Sequence, residues 1–135
     1  MTDETLVHRQ IHPSFVQAGF PTSQAFRTTP KDESKLSVYD GDMITAALAW
    51  THYTEKLSLA SVGVMGLKVS ECVAESLPVV RDTKPFPEHA VIDFSGLTDK
   101  ECRSKSKKLQ SKAVQRDWLY RAASDGCQSR KGSGA

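Results

Sequence analysis

Six side chains have the chemistry to build a site: His8, Arg9, His12, Arg27, Ser37 and His89. Five of them fall within residues 6–42, LVHRQIHPSFVQAGFPTSQAFRTTPKDESKLSVYDGD, where polar residues sit unusually densely inside short structural elements. Arginine presents a planar fork that grips phosphate or carboxylate with two parallel hydrogen bonds. A histidine beside it could act as a general acid or donate to a phosphate. His8-Arg9 with Arg27 and Ser37 is the strongest set, because two short strands would bring Arg9 and Arg27 together. The competing reading pairs these arginines with Asp32, Asp40, Asp42 or Asp93 and gives them a purely structural role. Glu88-His89 follows a proline-rich loop, a location where a rigid scaffold often carries function.

Other signatures are incomplete. His8 and His12 form a His-x3-His pair, which binds zinc when it lies on a helix. Pro13 and the strand-like alternation around His8 argue against a helix, and in a strand the two rings would stand roughly 13 Å apart. No metal and no cofactor is therefore expected. Ser37 and Ser61 lack the Gly-x-Ser-x-Gly elbow, which speaks against a serine hydrolase. Gly63 and Gly66 lack the rest of a phosphate-binding loop. Glu71 and Glu75, four apart on an expected helix, read as solvated. Cys72 lies near a helix start, a position that can lower a thiol pKa.

The elements that must position these groups are short. Leu6–Ile11 alternates as a strand with Val7, Arg9 and Ile11 partly inward. Pro13 suits a first helical turn and Gly19 a C′ position, so a short helix is expected over Pro13–Ala18. Ser23–Arg27 and Lys35–Tyr39 read as strands around a polar loop, Thr28–Ser34. Asp42 is placed to cap a helix over Met43–Glu55 whose apolar positions are Ile44, Ala47, Leu48 and Trp50. Ala60–Val69 reads as a central strand, with Gly63 and Gly66 permitting close approach. A short helix is expected from Ser70 to about Leu77, an irregular loop over Val79–His89, and a strand over Ala90–Phe94. Thr98-Asp99-Lys100-Glu101 is a capping box that should open a helix running to about Gln115. Trp118–Tyr120 would supply an edge strand.

The chain of 135 residues, 39% hydrophobic and 25% charged, suits one globular domain. The expectation is an α+β domain over residues 6–122 with a small mixed sheet and three to four helices. Residues 1–5 and 123–135 read as disordered ends. No stretch approaches the ~20 apolar residues of a membrane span. The N-terminal stretch carries no secretory pattern, and three widely spaced cysteines suggest reduced thiols, so a cytoplasmic location is expected. Net charge is uneven: residues 98–131 hold ten Lys/Arg against four Asp/Glu, and the rest hold eight against twelve. The basic Lys100–Lys112 segment could attract nucleic acid, but no aromatic residues interleave with it, so a solvated helix face is the favoured reading.

HRQIHPSFVQAGFPTSQAF and KLSVYDGD, with SVGVMGLKVSEC and PEHAVIDF downstream, resemble a group of small uncharacterised bacterial proteins over about residues 6–120. A shorter pattern resembles the ADP-ribosyltransferase-like fold, RNA 2′-phosphotransferases included. Val7-His8-Arg9, Pro13–Gly19, Leu36-Ser37 and Ala46-Ala47 match it in order. Arg9-Gln10 stands where many members carry Gly-Thr, and only Glu71 or Glu88 could stand in for a diagnostic glutamate. Two functions follow as expectations. One is a protein-interaction or accessory module of a larger bacterial system, with a protein partner. The other is a nucleotide- or phosphoester-handling domain that binds a phosphate through Arg9 and Arg27, with nucleotide or RNA as partner. A cavity lined by the candidate residues favours the second; a flat surface with those residues locked in ion pairs favours the first.

Overall fold

The computed structural model describes residues 1–29 and 33–122. The chain forms an α+β domain built on one six-stranded sheet. Its strands are β1 (Leu6–Ile11), β4 (Lys35–Asp40), β5 (Gly63–Lys68), β6 (Val79–Arg81), β7 (His89–Asp93) and β8 (Tyr120–Arg121), arranged β6-β7-β4-β1-β5-β8. Each pairing in the sheet is antiparallel. A separate two-residue hairpin joins β2 (Val16–Gln17) to β3 (Phe20–Pro21). Among the described residues three α-helices accompany the sheet: α1 (Ala46–Thr51), α2 (Val69–Ala74) and α3 (Asp99–Arg116).

Strand alternation divides the sheet into two faces. Val7 and Ile11 of β1 share one face with Leu36 and Val38 of β4, Met65 and Leu67 of β5, and Ala90 and Ile92 of β7. Phe26, Leu77, Leu109 and Ala113 close this face into the main core. Removing this apolar surface from water at about 25 cal/mol per Å² is the principal stabilising term. α3 is capped as expected: Thr98 accepts from the Glu101 N–H at 3.2 Å, and the Glu101 carboxylate accepts from the Thr98 N–H at 2.9 Å. Its inward stripe is Ser106, Leu109 and Ala113. The opposite face carries His8, Gln10, Ser37, Tyr39 and His89, with α1 packed over part of it.

Several elements depart from the sequence expectations. Pro13–Ala18 is not a helix: a 3-10 turn, Pro13–Phe15, leads into the small hairpin. Ala18 (φ 55°) and Gly19 (φ 87°) are both left-handed, the geometry of a tight hairpin turn, so Gly19 closes β2–β3 instead of a helix. Ser23–Arg27 is not a strand; Ser23–Phe26 is a 3-10 turn that sends Ala25 and Phe26 into the core. The 43–55 helix begins later, with Thr45 as its cap, and converts at His52 into a π-helical turn, His52–Lys56. Asp42 accepts instead from the Thr5 hydroxyl at 2.6 Å. Ala49 is the buried residue of α1, whereas Leu48 is exposed. Within the expected loop 79–89, Val79–Arg81 forms β6. Residues 1–5 make defined contacts: Thr5 is buried, and the carbonyls of Thr5 and Asp3 accept from Val69 and Ser70 N–H. The tail expectation for 123–135 lies outside the described residues, as does part of the 28–34 loop.

Candidate functional site

Three of the six candidate residues meet. Arg9, Ser37 and His89 line one cavity of about 370 Å³, together with Gln10, Tyr39, Tyr53 and Phe86. The backbone explains why an opening exists there. β1 and β5 pair over six positions, but β1 and β4 pair only at Val7–Asp40 and His8–Tyr39. Beyond that point the guanidinium of Arg9 takes up hydrogen bonding between the strands. It donates from Nε to the Ala25 carbonyl at 2.8 Å and from Nη1 to the Ser37 carbonyl at 2.9 Å.

On the cavity wall, Ser37 Oγ and His89 Nε2 are 3.2 Å apart. His89 Nδ1 lies 2.8 Å from the Asp82 carbonyl oxygen and 3.6 Å from Asp82 Oδ2. A carbonyl can only accept, so Nδ1 carries the proton there. In the neutral imidazole Nε2 is then an acceptor, and the Ser37 hydroxyl donates to it. Ser37 is exposed on β4 while His89 is buried, so the hydroxyl is the accessible end of the pair.

The remaining wall is aromatic. Phe86 packs against Tyr39 at 5.0 Å, His52 at 4.6 Å and His89 at 5.1 Å between ring centroids. The Tyr39 hydroxyl bonds His52 Nδ1 at 2.7 Å, which anchors the π-helical turn that carries Tyr53 to the cavity. Such turns recur at functional sites because they re-aim side chains within a helix. Burial, with Tyr53 and Glu88 nearby, pushes the Tyr39 hydroxyl pKa well up, so it stays protonated. Gln10 is buried; its Oε1 accepts from the Ser61 hydroxyl at 2.8 Å, while its Nε2 has no partner among the described residues.

The other candidates stand apart. His8 faces the same side as Gln10 but is sealed against Gly41: a Cβ at position 41 would lie 2.9 Å from His8 Nε2. Burial lowers the His8 pKa, against an opposing pull from Asp40. His12 is exposed and caps the 3-10 turn, with Nδ1 accepting from the Ser14 N–H at 3.0 Å. Arg27 lines a different depression beside Thr28, Glu33, Asp99 and Arg103. Because its segment is a 3-10 turn, no strand carries it alongside Arg9, and the expected shared arginine concavity does not form. Among the described residues no cluster of three His, Cys, Asp or Glu side chains could hold a metal, and no helix is long and apolar enough to cross a membrane.

Two further expectations change. The Cys72 thiol is raised to about 12, by burial and then by Glu71, so the helix start does not activate it. Glu71 is not simply solvated: it holds Arg116 in a bidentate pair. On α3, Lys108 pairs with Glu75 at 3.3 Å and Lys105 donates to the Glu75 carbonyl, so part of the basic face is already engaged.

Gln10, Tyr39, Tyr53, Phe86 and Asp82 were not singled out by sequence. The one available signal was Phe86, an aromatic residue flanked by prolines in Pro85-Phe86-Pro87 beside Glu88-His89. Compared with protein-family models, curated proteins and solved structures, the chain matches none.

Proposed function

We propose that the domain holds a nucleotide or a related small phosphoester in the cavity between β1, β4 and the π-helical turn. The observation that carries this reading is the convergence of Arg9, Gln10, Ser37 and His89 with the rings of Tyr39, Tyr53 and Phe86 on one opening. Its volume of about 370 Å³ lies within the range of roughly 300–1,000 Å³ usual for small-ligand sites. Aromatic walls accept a planar base, and directed polar groups orient the remainder of the ligand. The site differs from the sequence expectation in using Arg9 without Arg27. The test is thermal unfolding with a panel of nucleotides and short RNAs. A ligand of this site raises the melting temperature increasingly with concentration, and Phe86→Ala weakens the effect at least tenfold. No rise with any nucleotide at millimolar concentration refutes the reading.

A second reading, an interaction or accessory module of a larger bacterial system in the cytoplasm, draws support from exposed Leu57 and Leu59, which line the same opening, and from exposed Leu48 on α1. Isolated exposed apolar residues are ordinary; a contiguous group marks a partner surface. Leu48→Asp with Leu59→Asp would then abolish recovery of a partner that Phe86→Ala still recovers.

A further inference from the structure

We infer that Ser37 and His89 form a nucleophile–base pair that transfers the phosphoryl group of a phosphodiester bound in this cavity. The inference rests on the ligand reading above and adds a reaction to it. Two observations support it. The Ser37 hydroxyl is exposed to the cavity and 3.2 Å from His89 Nε2. The His89 ring is held by its opposite nitrogen, 2.8 Å from the Asp82 carbonyl, in the tautomer that leaves Nε2 able to take a proton.

The step balances without an oxidant, a reductant or a metal. Ser37 Oγ attacks phosphorus as its proton passes to His89 Nε2. The P–O bond to the leaving alcohol breaks, and His89 returns the proton to that oxygen. The product is a phosphodiester on Ser37 and a free alcohol. Water, deprotonated by His89, then attacks the same phosphorus; the P–Oγ bond breaks and Ser37 recovers a proton from His89. The net change is phosphodiester plus water giving phosphomonoester plus alcohol. Ser37 and His89 would be the catalytic residues. Asp82 is a positioning residue: its carbonyl fixes the ring, and its carboxylate, 3.6 Å from Nδ1, favours the imidazolium that forms.

A fluorophosphonate tests the pair directly, because it presents a tetrahedral phosphorus that loses fluoride to an activated serine. Intact-mass and peptide analysis should place one adduct on Ser37, and Ser37→Ala should abolish it. His89→Gln should slow labelling at least about a hundredfold and remove its dependence on pH, while circular dichroism shows the fold retained. Asp82→Asn should alter that pH dependence with Ser37 still labelled. Bis(4-nitrophenyl) phosphate should release nitrophenol in a Ser37-dependent manner. Absence of an adduct, an adduct elsewhere, or a rate unchanged in folded His89→Gln overturns the inference. Ser37-dependent turnover of 4-nitrophenyl acetate but not of the phosphodiester also overturns it, in favour of acyl transfer. The Ser37→Ala variant separates this inference from the ligand reading. If nucleotides still raise its melting temperature while wild type remains unlabelled, the pair is structural and the ligand reading stands. If Ser37 is labelled and no nucleotide shifts melting, the nucleotide reading fails.

Discussion

Arg116 at the end of α3 grips Glu71 of α2 with both arms of its guanidinium, Nη1 to Oε1 at 3.0 Å and Nη2 to Oε2 at 2.7 Å. Nη1 also donates to the Gly66 carbonyl at 2.8 Å, so one side chain ties two helices to β5. Burial alone would raise the Glu71 pKa, but the Arg116 fork and the Lys68 N–H hold it below the ordinary value. Arg116→Ala should destabilise the domain by about 2 kcal/mol, since both groups are only partly exposed and hydrogen bonds to charged groups are worth roughly 1.5–3 kcal/mol. Arg116→Lys should recover no more than half, because the fork geometry is lost. Urea unfolding of the three proteins measures this; equal stability of the Lys variant and wild type would refute it.

Gly41 should tolerate no side chain. A Cβ there would fall on the Leu6 carbonyl oxygen, which already accepts from the Gly41 N–H at 2.8 Å, and would crowd His8. Backbone cannot move aside cheaply in a sheet. Gly41→Ala should cost about 1–3 kcal/mol, read as a lower urea midpoint. An unchanged midpoint would show that the β4 end is loose.

His8 gives the domain a specific pH response. Its folded pKa lies below 6.5, so below pH 6.5 the unfolded chain binds the extra proton first. The stability it contributes is complete above 6.5 and falls as pH drops through the folded pKa. Glu71, whose reference value is 4.5, acts only in a more acidic window. The urea midpoint should therefore decline as the pH falls below 6.5, and His8→Asn should flatten that decline. The same slope in the variant would place the response elsewhere.

Cys72 should be inert in the folded protein. Its thiol is fully buried and its pKa is raised to about 12, whereas Cys102 is partly exposed. Iodoacetamide at pH 8 should modify Cys102 well before Cys72, with Cys72 reacting only in denaturant. Peptide mapping that finds Cys72 modified first in the native protein would contradict this.

Local signals in the sequence were reliable where one element satisfies itself. The Thr98/Glu101 box set the start of α3, and alternation set β1 and β4, because caps and period-2 burial are written in neighbouring residues. Elements decided by distant partners were not legible. β6 sits in a proline-rich stretch and exists because β7 offers Val79–Arg81 a ladder. Ala18-Gly19 reads equally as a helix end or a hairpin turn, and only the Val16–Pro21 pairing chooses. Arg9 and Ser37 were read as one set, whereas His89 was noticed on separate grounds, from its proline-rich loop. Their meeting depends on the β4–β7 register, which places Ser37 opposite Val91 and Tyr39 opposite His89.

The strand at the middle of the sheet comes first in the sequence. β1 lies between β4 and β5, and its longest ladder joins Leu6–Ile11 to Gly63–Lys68, more than fifty residues downstream. A chain emerging from a ribosome therefore holds Val7 without a sheet partner until β4 has been made, and Ile11 without one until β5 has followed. Such sequence-distant pairing carries a large loop-closure entropy, which places folding in the slow, millisecond-to-second regime of β-rich domains. Until that closure, the apolar face of β1 is the segment most in need of a chaperone.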